Sequence, residues 1–224
     1  MNFTWYNEPK KWSSNQTTIN VHTEGNTDFW RKTHYGFERD NGHFYYQSLP
    51  GDQSFTATVN IRGKYNTIYD QGGLMLRTDE KNWIKCGVEY VDGQQFASVV
   101  VTVNGWSDWS VVLINAPEIL KLRAKRAKEA VHIDFAEGEQ GDFKMMRLAY
   151  LPMTDRSRAM MVGIMCASPE NTTQGFDISF EHLKIEVEPN TNGCLRTSCC
   201  YIFLLFFISF YFKSSLFTTE ACDI

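Results

Sequence analysis

Three consecutive stretches between residues 69 and 109 alternate apolar and polar positions with a period of two, the pattern of β-strands whose successive side chains point to opposite faces of a sheet. In residues 71–77, Gln71, Gly73, Met75 and Arg77 fall on one face, with Gly72, Leu74 and Leu76 on the other. In residues 83–90, Trp83, Lys85, Gly87 and Glu89 share a face, and Ile84, Cys86, Val88 and Tyr90 form an apolar reverse side. Residues 78–82 (TDEKN) suit a hairpin loop, and Asp92 and Gly93 supply the turn into a third strand, FASVVVTV. With these strands adjacent, Gln71, Arg77, Lys85 and Glu89 converge at about 5 Å per strand step. Gly73 and Gly87 on the same face would leave floor space for a ligand.

This polar stripe has two readings: the solvated side of an antiparallel sheet with cross-strand ion pairs, or the floor of a binding groove. Trp83 favours the groove, because an indole in line with Lys85 and Glu89 is the mix that stacks a sugar or other flat ligand while hydrogen bonds fix it. The candidate ligand-binding set is therefore Gln71, Arg77, Trp83, Lys85 and Glu89. Phe29, Trp30, His34, Tyr35, Phe37, His43 and Phe44 crowd residues 29–44 and read mostly as sandwich core or edge cover. Trp30 and His34, with Arg31 between them, join the candidate set. In GWSDWS, Trp106 and Trp109 also join it, as exposed rings on a loop, with a loop folded over a sandwich edge as the equal alternative.

The remaining pattern is of short aromatic and β-branched runs with turn signals about every 8–12 residues, which predicts one all-β domain. Residues 118–130 could pass as a helix on propensity. ILKLR and VHIDF nevertheless alternate, so two strands joined by a basic turn, AKRAKE, are expected, with a further turn at Glu137 and Gly138.

Catalytic and metal signatures are sparse. There is no GxSxG elbow, P-loop or GxGxxG, and no CxxC before residue 190. The five histidines show no metal-ligand spacing, so neither a transition metal nor a cofactor is expected, while calcium is left open. A glycosidase needs two carboxylates on one site, and this strand offers Glu89 alone; Asp79 and Asp134 have no spacing that recommends them. A hydrolase or lyase using Glu89 is the enzymatic alternative. The net charge of −4, with basic residues clustered only in the solvated turn KLRAKRAK, argues against nucleic acid.

The residues after Met1 lack an apolar core for secretion, and Cys86 and Cys166 are too few for a disulfide framework, so a reducing cytoplasmic setting is expected, with the sequons at Asn2, Asn15 and Asn171 unused. From residue 190 the composition changes to a cysteine-rich stretch with an apolar run at 201–212, shorter than the roughly 20 residues a span requires. Residues 199–217 as a tail anchor, with Cys199 and Cys200 palmitoylated, are the alternative to a divergent tail from an alternative or mispredicted terminal exon.

A family resemblance is carried by WYNEPKKW (5–12), TDFWRKTHYGFERDNGHF (27–44), YDQGGLMLR, WIKCGVEYVDG, VVVTVNGWSDWS and VGIMCASPENTTQGFDISFEHLKIE (162–186). Over about residues 3–189 the chain resembles the regulation of enolase protein 1 family, a domain of unknown function with a concanavalin A-like lectin/glucanase fold. The resemblance implies a jelly-roll sandwich of two antiparallel sheets, similar to the sugar-binding accessory domains of bacterial glycosidases, over residues 1–189, with 190–224 outside it. The expected function is a non-catalytic module that recognises a carbohydrate or small polar metabolite. A protein-interaction role linked to enolase or carbon metabolism, which the family name implies, is the alternative.

Overall fold

The computed structural model describes residues 2–153, 156–171 and 174–189; the expectations for residues 190–224, the anchor at 199–217 included, lie outside the described residues. Sixteen strands follow in order: β1 (Thr4–Tyr6), β2 (Lys11–Ser14), β3 (Thr18–His22), β4 (Phe29–Trp30), β5 (Arg39–Asp40), β6 (His43–Pro50), β7 (Phe55–Gly63), β8 (Gln71–Asp79), β9 (Asn82–Val91), β10 (Gln94–Val103), β11 (Trp106–Leu113), β12 (Leu120–Ala127), β13 (Ala130–Glu137), β14 (Lys144–Tyr150), β15 (Ala159–Ala167) and β16 (Asp177–Val187). A first sheet runs β1-β6-β15-β8-β9-β10-β11 and a second β14-β13-β12-β7-β16-β3-β2, with β4-β5 as a separate small hairpin. The two large sheets are antiparallel throughout and pack face to face as an all-β jelly-roll sandwich.

The alternation of β8 and β9 sorts their side chains as the pattern requires. Leu74, Leu76, Ile84, Cys86 and Val88 enter the core between the sheets, where they meet Val59, Ile61, Leu122, Ile133 and Phe180. Asp92-Gly93 and Asn104-Gly105 close tight hairpins with positive φ at both central residues (49° and 80°, 53° and 79°), the twist that two-residue hairpins favour.

The two strands expected around residues 118–137 are present as β12 and β13, and the structure corrects one loop and one turn assignment. GWSDWS is not a loop: beyond the Asn104-Gly105 turn it enters β11, where Trp106 pairs with Val103 and Trp109 with Val100. Residues 118–130 form no helix, and the turn between β12 and β13 is only Lys128-Glu129, so most of AKRAKE is strand. Its basic residues are not all solvated either. Arg126 alternates onto the core side and is 1% exposed, its Nε donating to the Lys128 carbonyl at 2.9 Å while Nη1 and Nη2 find no hydrogen-bond partner among the described residues. Burial pulls its pKa down.

The outer face of the first sheet is not open. Residues 27–42 fold back across it, and Phe29, Trp30, Phe44, Met75, Trp83, Val100, Met165 and Ala167 form a second apolar cluster beneath this cover. The sheet therefore buries side chains on both faces, and its polar stripe lies under a strap of chain.

Candidate ligand pocket

The covering segment is pinned by the polar residues of the stripe. Arg77 is 3% exposed and grips Asp40 of β5 with both prongs, at 2.5 and 2.8 Å. Tyr6 donates its hydroxyl to the same carboxylate at 2.8 Å, and the guanidinium lies 4.6 Å from the Tyr6 ring. Lys85 is 5% exposed and donates to Asp28 Oδ1 (3.2 Å), the Phe29 carbonyl (2.8 Å) and Gln71 Oε1 (2.6 Å). Arg31 donates to the Glu80 carbonyl at 3.0 Å and pairs with Glu38 at 2.5 Å. Ser107 ties the same segment to β11, its hydroxyl accepting from the Arg31 amide at 3.0 Å.

Beside this strap a pocket of about 110 Å³ opens, lined by Asp28, Trp30, Tyr35, Phe37, Tyr69, Gln71, Lys85, Glu89, Trp109, Pro169 and Glu170. Its aromatic walls meet nearly at right angles: Tyr69 and Trp109 have ring centroids 6.3 Å apart at 79°, and Trp30 and Tyr35 5.4 Å apart at 70°. A shallower hollow of about 450 Å³ adjoins it, lined by Trp30, Thr33, His34, Tyr35, Ser107, Asp108 and Trp109, so three aromatic rings serve both.

The backbone around the pocket is strained. Lys32, His34 and Tyr69 have φ of 49°, 64° and 67°, a region that side chains with a Cβ rarely adopt and that clusters at ligand sites. At Tyr69 the strain is held from below. Its amide donates to the Tyr90 carbonyl at 2.6 Å, while the buried Asp70 carboxylate accepts from the Asn66 and Thr67 amides at 2.9 Å each and from the Ser168 hydroxyl at 2.5 Å.

Charge in the pocket is asymmetric. Asp28 Oδ1 accepts from the Phe29 amide (2.7 Å), Lys85 (3.2 Å) and Gln71 (3.4 Å), so that oxygen is committed to the fold, while Oδ2 makes no hydrogen bond among the described residues. Glu89 is 7% exposed; one oxygen accepts the Ser98 hydroxyl at 2.6 Å, and Ser98 in turn accepts the Trp109 indole N–H at 3.0 Å. The other oxygen, Oε1, makes no hydrogen bond among the described residues. Burial raises the Glu89 pKa, against the opposing pull of the Lys85 charge and of the Ser98 and Trp109 donors and with the Asp28 charge adding to the rise. Tyr69 is pushed up to about 12 by burial, then by the Tyr35 hydroxyl and the charges of Glu89 and Asp92. No group of His, Cys, Asp and Glu that could hold a metal ion occurs among the described residues.

Of the residues singled out from sequence, Gln71, Lys85, Glu89, Trp30 and Trp109 meet in this pocket, and His34 lines the adjoining hollow. Arg77 and Trp83 do not. Trp83 is fully buried, its indole N–H donating to the Glu80 carbonyl at 3.2 Å, and it stacks on no ligand because Phe29 occupies the space above it, 6.4 Å away. Trp106 is exposed beside Lys32, whose amine stands 5.5 Å from its ring. Gly73 and Gly87 open no floor: a Cβ on either would stand about 2 Å from a neighbouring carbonyl, at 1.8 Å from Cys86 O and 2.0 Å from Gly72 O, so they are there to let β8 and β9 approach. Tyr35, Tyr69 and Glu170 belong to the pocket without having been singled out; the signal available was the density of aromatics in residues 29–44 and the Tyr69-Asp70 turn ahead of β8.

Comparison with known proteins places this geometry among relatives. The family model described as "Protein of unknown function (DUF1349)" matches residues 5–188. "Regulation of enolase protein 1" from Saccharomyces cerevisiae is 38% identical over 169 residues, covering 75% of this chain and 81% of the relative. A crystal structure of a functionally unknown protein from Saccharomyces cerevisiae superposes with a TM-score of 0.75 at 35% identity, over 84% of this chain and 97% of that one. At the level of fold alone, a mutant of the GH43 protein BlXynB from Bacillus licheniformis matches with a TM-score of 0.61 at 14% identity, over 83% of this chain but 37% of its own. The carbohydrate binding module CBM66 from Bacillus subtilis matches with a TM-score of 0.52 at 14% identity, over 81% of this chain and 94% of its own.

Proposed function

We propose, from the premise that this chain belongs to the DUF1349 family of proteins of unknown function, that it is a non-catalytic binding module which captures a small polar ligand, a carbohydrate or a metabolite, in the pocket at Glu89. The observation that carries this reading is a concave, aromatic-walled pocket holding a buried carboxylate with an uncommitted oxygen and ringed by strained backbone. The likeness to a carbohydrate binding module supports the ligand class. A hydrolytic reading gains less support, because Asp28 is ion-paired with Lys85 and its Oδ1 is held by three donors of the fold, while Glu170 lies exposed at the mouth.

The module is proposed to span residues 1–189 and to work in the cytoplasm, where the buried free thiols of Cys86 and Cys166 stay reduced. Among the described residues no helix is long and apolar enough to cross a membrane. The test of the binding reading is a thermal-shift screen against mono- and oligosaccharides, comparing the wild type with Glu89→Gln: a sugar that raises the melting temperature of the wild type alone supports it, and an equal shift in the variant contradicts it.

A second reading, a regulatory protein-interaction role, follows the name of the yeast relative. It has one structural observation in its favour. The edge strands β11 and β14 expose Val111, Val112, Leu113, Met145, Leu148 and Tyr150, apolar side chains of the kind that protein partners cover. Capture of a specific partner that is lost on Leu113→Asp and retained by Glu89→Gln would favour this reading.

A further inference from the structure

We infer that the end of the ligand held in the pocket is an alkylammonium group, caged by Trp30, Tyr35, Tyr69 and Trp109 and neutralised by Glu89. The inference rests on the proposal that the pocket is the ligand site, and names the chemistry that site selects.

Size comes first. About 110 Å³ is well below the roughly 300–1,000 Å³ of pockets that engulf a whole drug-sized ligand, so the enclosed part of the ligand is a compact head. The walls come next. Perpendicular aromatic pairs present ring faces from more than one side, the arrangement that holds a quaternary ammonium through its attraction to ring quadrupoles.

Hydrogen-bonding capacity then sets the sign of the charge. Lys85 spends its N–H groups on Asp28, Phe29 and Gln71, and its charge is cancelled by Asp28. The Trp30 indole N–H donates to the Thr33 carbonyl at 3.0 Å, the Trp109 indole N–H to Ser98, and the Gln71 amide to the Tyr69 carbonyl at 3.1 Å. An anionic head would find these donors already committed and would face Glu89 and Glu170. A cation finds Glu89 Oε1 inside and Glu170 at the mouth.

The environment of Glu89 adds support. It faces Lys85 on its own strand, Asp28 from the covering segment, Ser98 from β10, Trp109 from β11 and Tyr69 ahead of β8, with Glu170 lining the same pocket. Burial favours its protonated form, whereas a bound cation favours the carboxylate, so binding releases a proton and tightens as pH rises.

The experiment is a tryptophan-fluorescence titration of the full chain with choline, with its neutral isostere 3,3-dimethyl-1-butanol, with an Nε-trimethyllysine peptide, and with xylo- and gluco-oligosaccharides. Saturable binding of choline or the peptide is expected, with the isostere at least tenfold weaker than choline; the tighter of the two cations tells a free metabolite from a modified protein. Glu89→Gln and Tyr35→Ala should each weaken the bound cation at least tenfold while retaining the wild-type circular dichroism spectrum. Equal binding of choline and the isostere overturns the inference, as does undiminished cation binding by Glu89→Gln. Oligosaccharide binding without cation binding overturns it and leaves the binding-module reading standing; binding of neither class removes both.

Discussion

Arg77 and Asp40 stand 37 positions apart in sequence and meet in a two-pronged ion pair of 2.5 and 2.8 Å, which fastens the covering segment to the first sheet. The pair is largely buried, with side-chain exposures of 4% and 20%, so each partner needs the other. Asp40→Ala strands the Arg77 charge under the cover and is expected to cost about 3 kcal/mol. Arg77→Met should cost less, because Asp40 keeps the Tyr6 hydroxyl and some water. Urea denaturation of both variants checks the order.

Trp83 is a packing residue, and its substitution separates stability from binding. Trp83→Ala should cost about 3–5 kcal/mol through the cavity it leaves. Trp83→Phe should fold and bind ligand as the wild type does, since Trp83 does not line the pocket. Thermal denaturation alongside ligand titration measures both.

Gly73→Ala should destabilise the protein by about 3 kcal/mol, at the upper end for an overpacked interior, because its Cβ would stand 1.8 Å from the Cys86 carbonyl oxygen. A soluble variant with wild-type stability would show that β8 and β9 have room that the geometry denies them.

Stability should fall as pH rises through the region where Glu89 ionises. Its folded-state pKa is raised, so the folded protein holds the proton more tightly than the unfolded chain. The contribution is therefore fully present below the usual carboxylate pKa and is lost as pH climbs through the raised value. Glu89→Gln abolishes this dependence, so the variant should gain on the wild type in melting temperature as pH rises. Melting curves of both proteins from acid to neutral pH reveal the difference.

The strands of this fold are legible in the chain because period-two alternation is a local property. Leu74, Leu76, Ile84, Cys86 and Val88 face the inter-sheet core as their spacing requires. What lies above the opposite face is not local. Arg77, Lys85 and Trp83 carry the same pattern whether that face meets water, a ligand or another stretch of the same chain, and here the strap of residues 27–42 takes the space. Gln71, Lys85, Glu89 and Trp109 meet in one pocket because that strap lays its own Asp28, Trp30, Tyr35 and Phe37 beside them, a contact no local pattern reveals. The burial of Arg126 was hidden for a similar reason: a basic residue next to a turn reads as solvated, and only the register of β12 turns it inward.

The central claim, that the pocket at Glu89 is the ligand site, is tested most directly by the indole N–H resonances of the six tryptophans in a ¹H–¹⁵N spectrum recorded with and without oligosaccharides and choline. Trp30 and Trp109 line the pocket, whereas Trp5, Trp12, Trp83 and Trp106 lie outside it. The predicted result is that a ligand moves the Trp30 and Trp109 signals and leaves those of Trp5, Trp12 and Trp83 in place. Ligand-dependent shifts at Trp5 and Trp12, with Trp30 and Trp109 unmoved, would contradict it and put the site elsewhere on the sandwich.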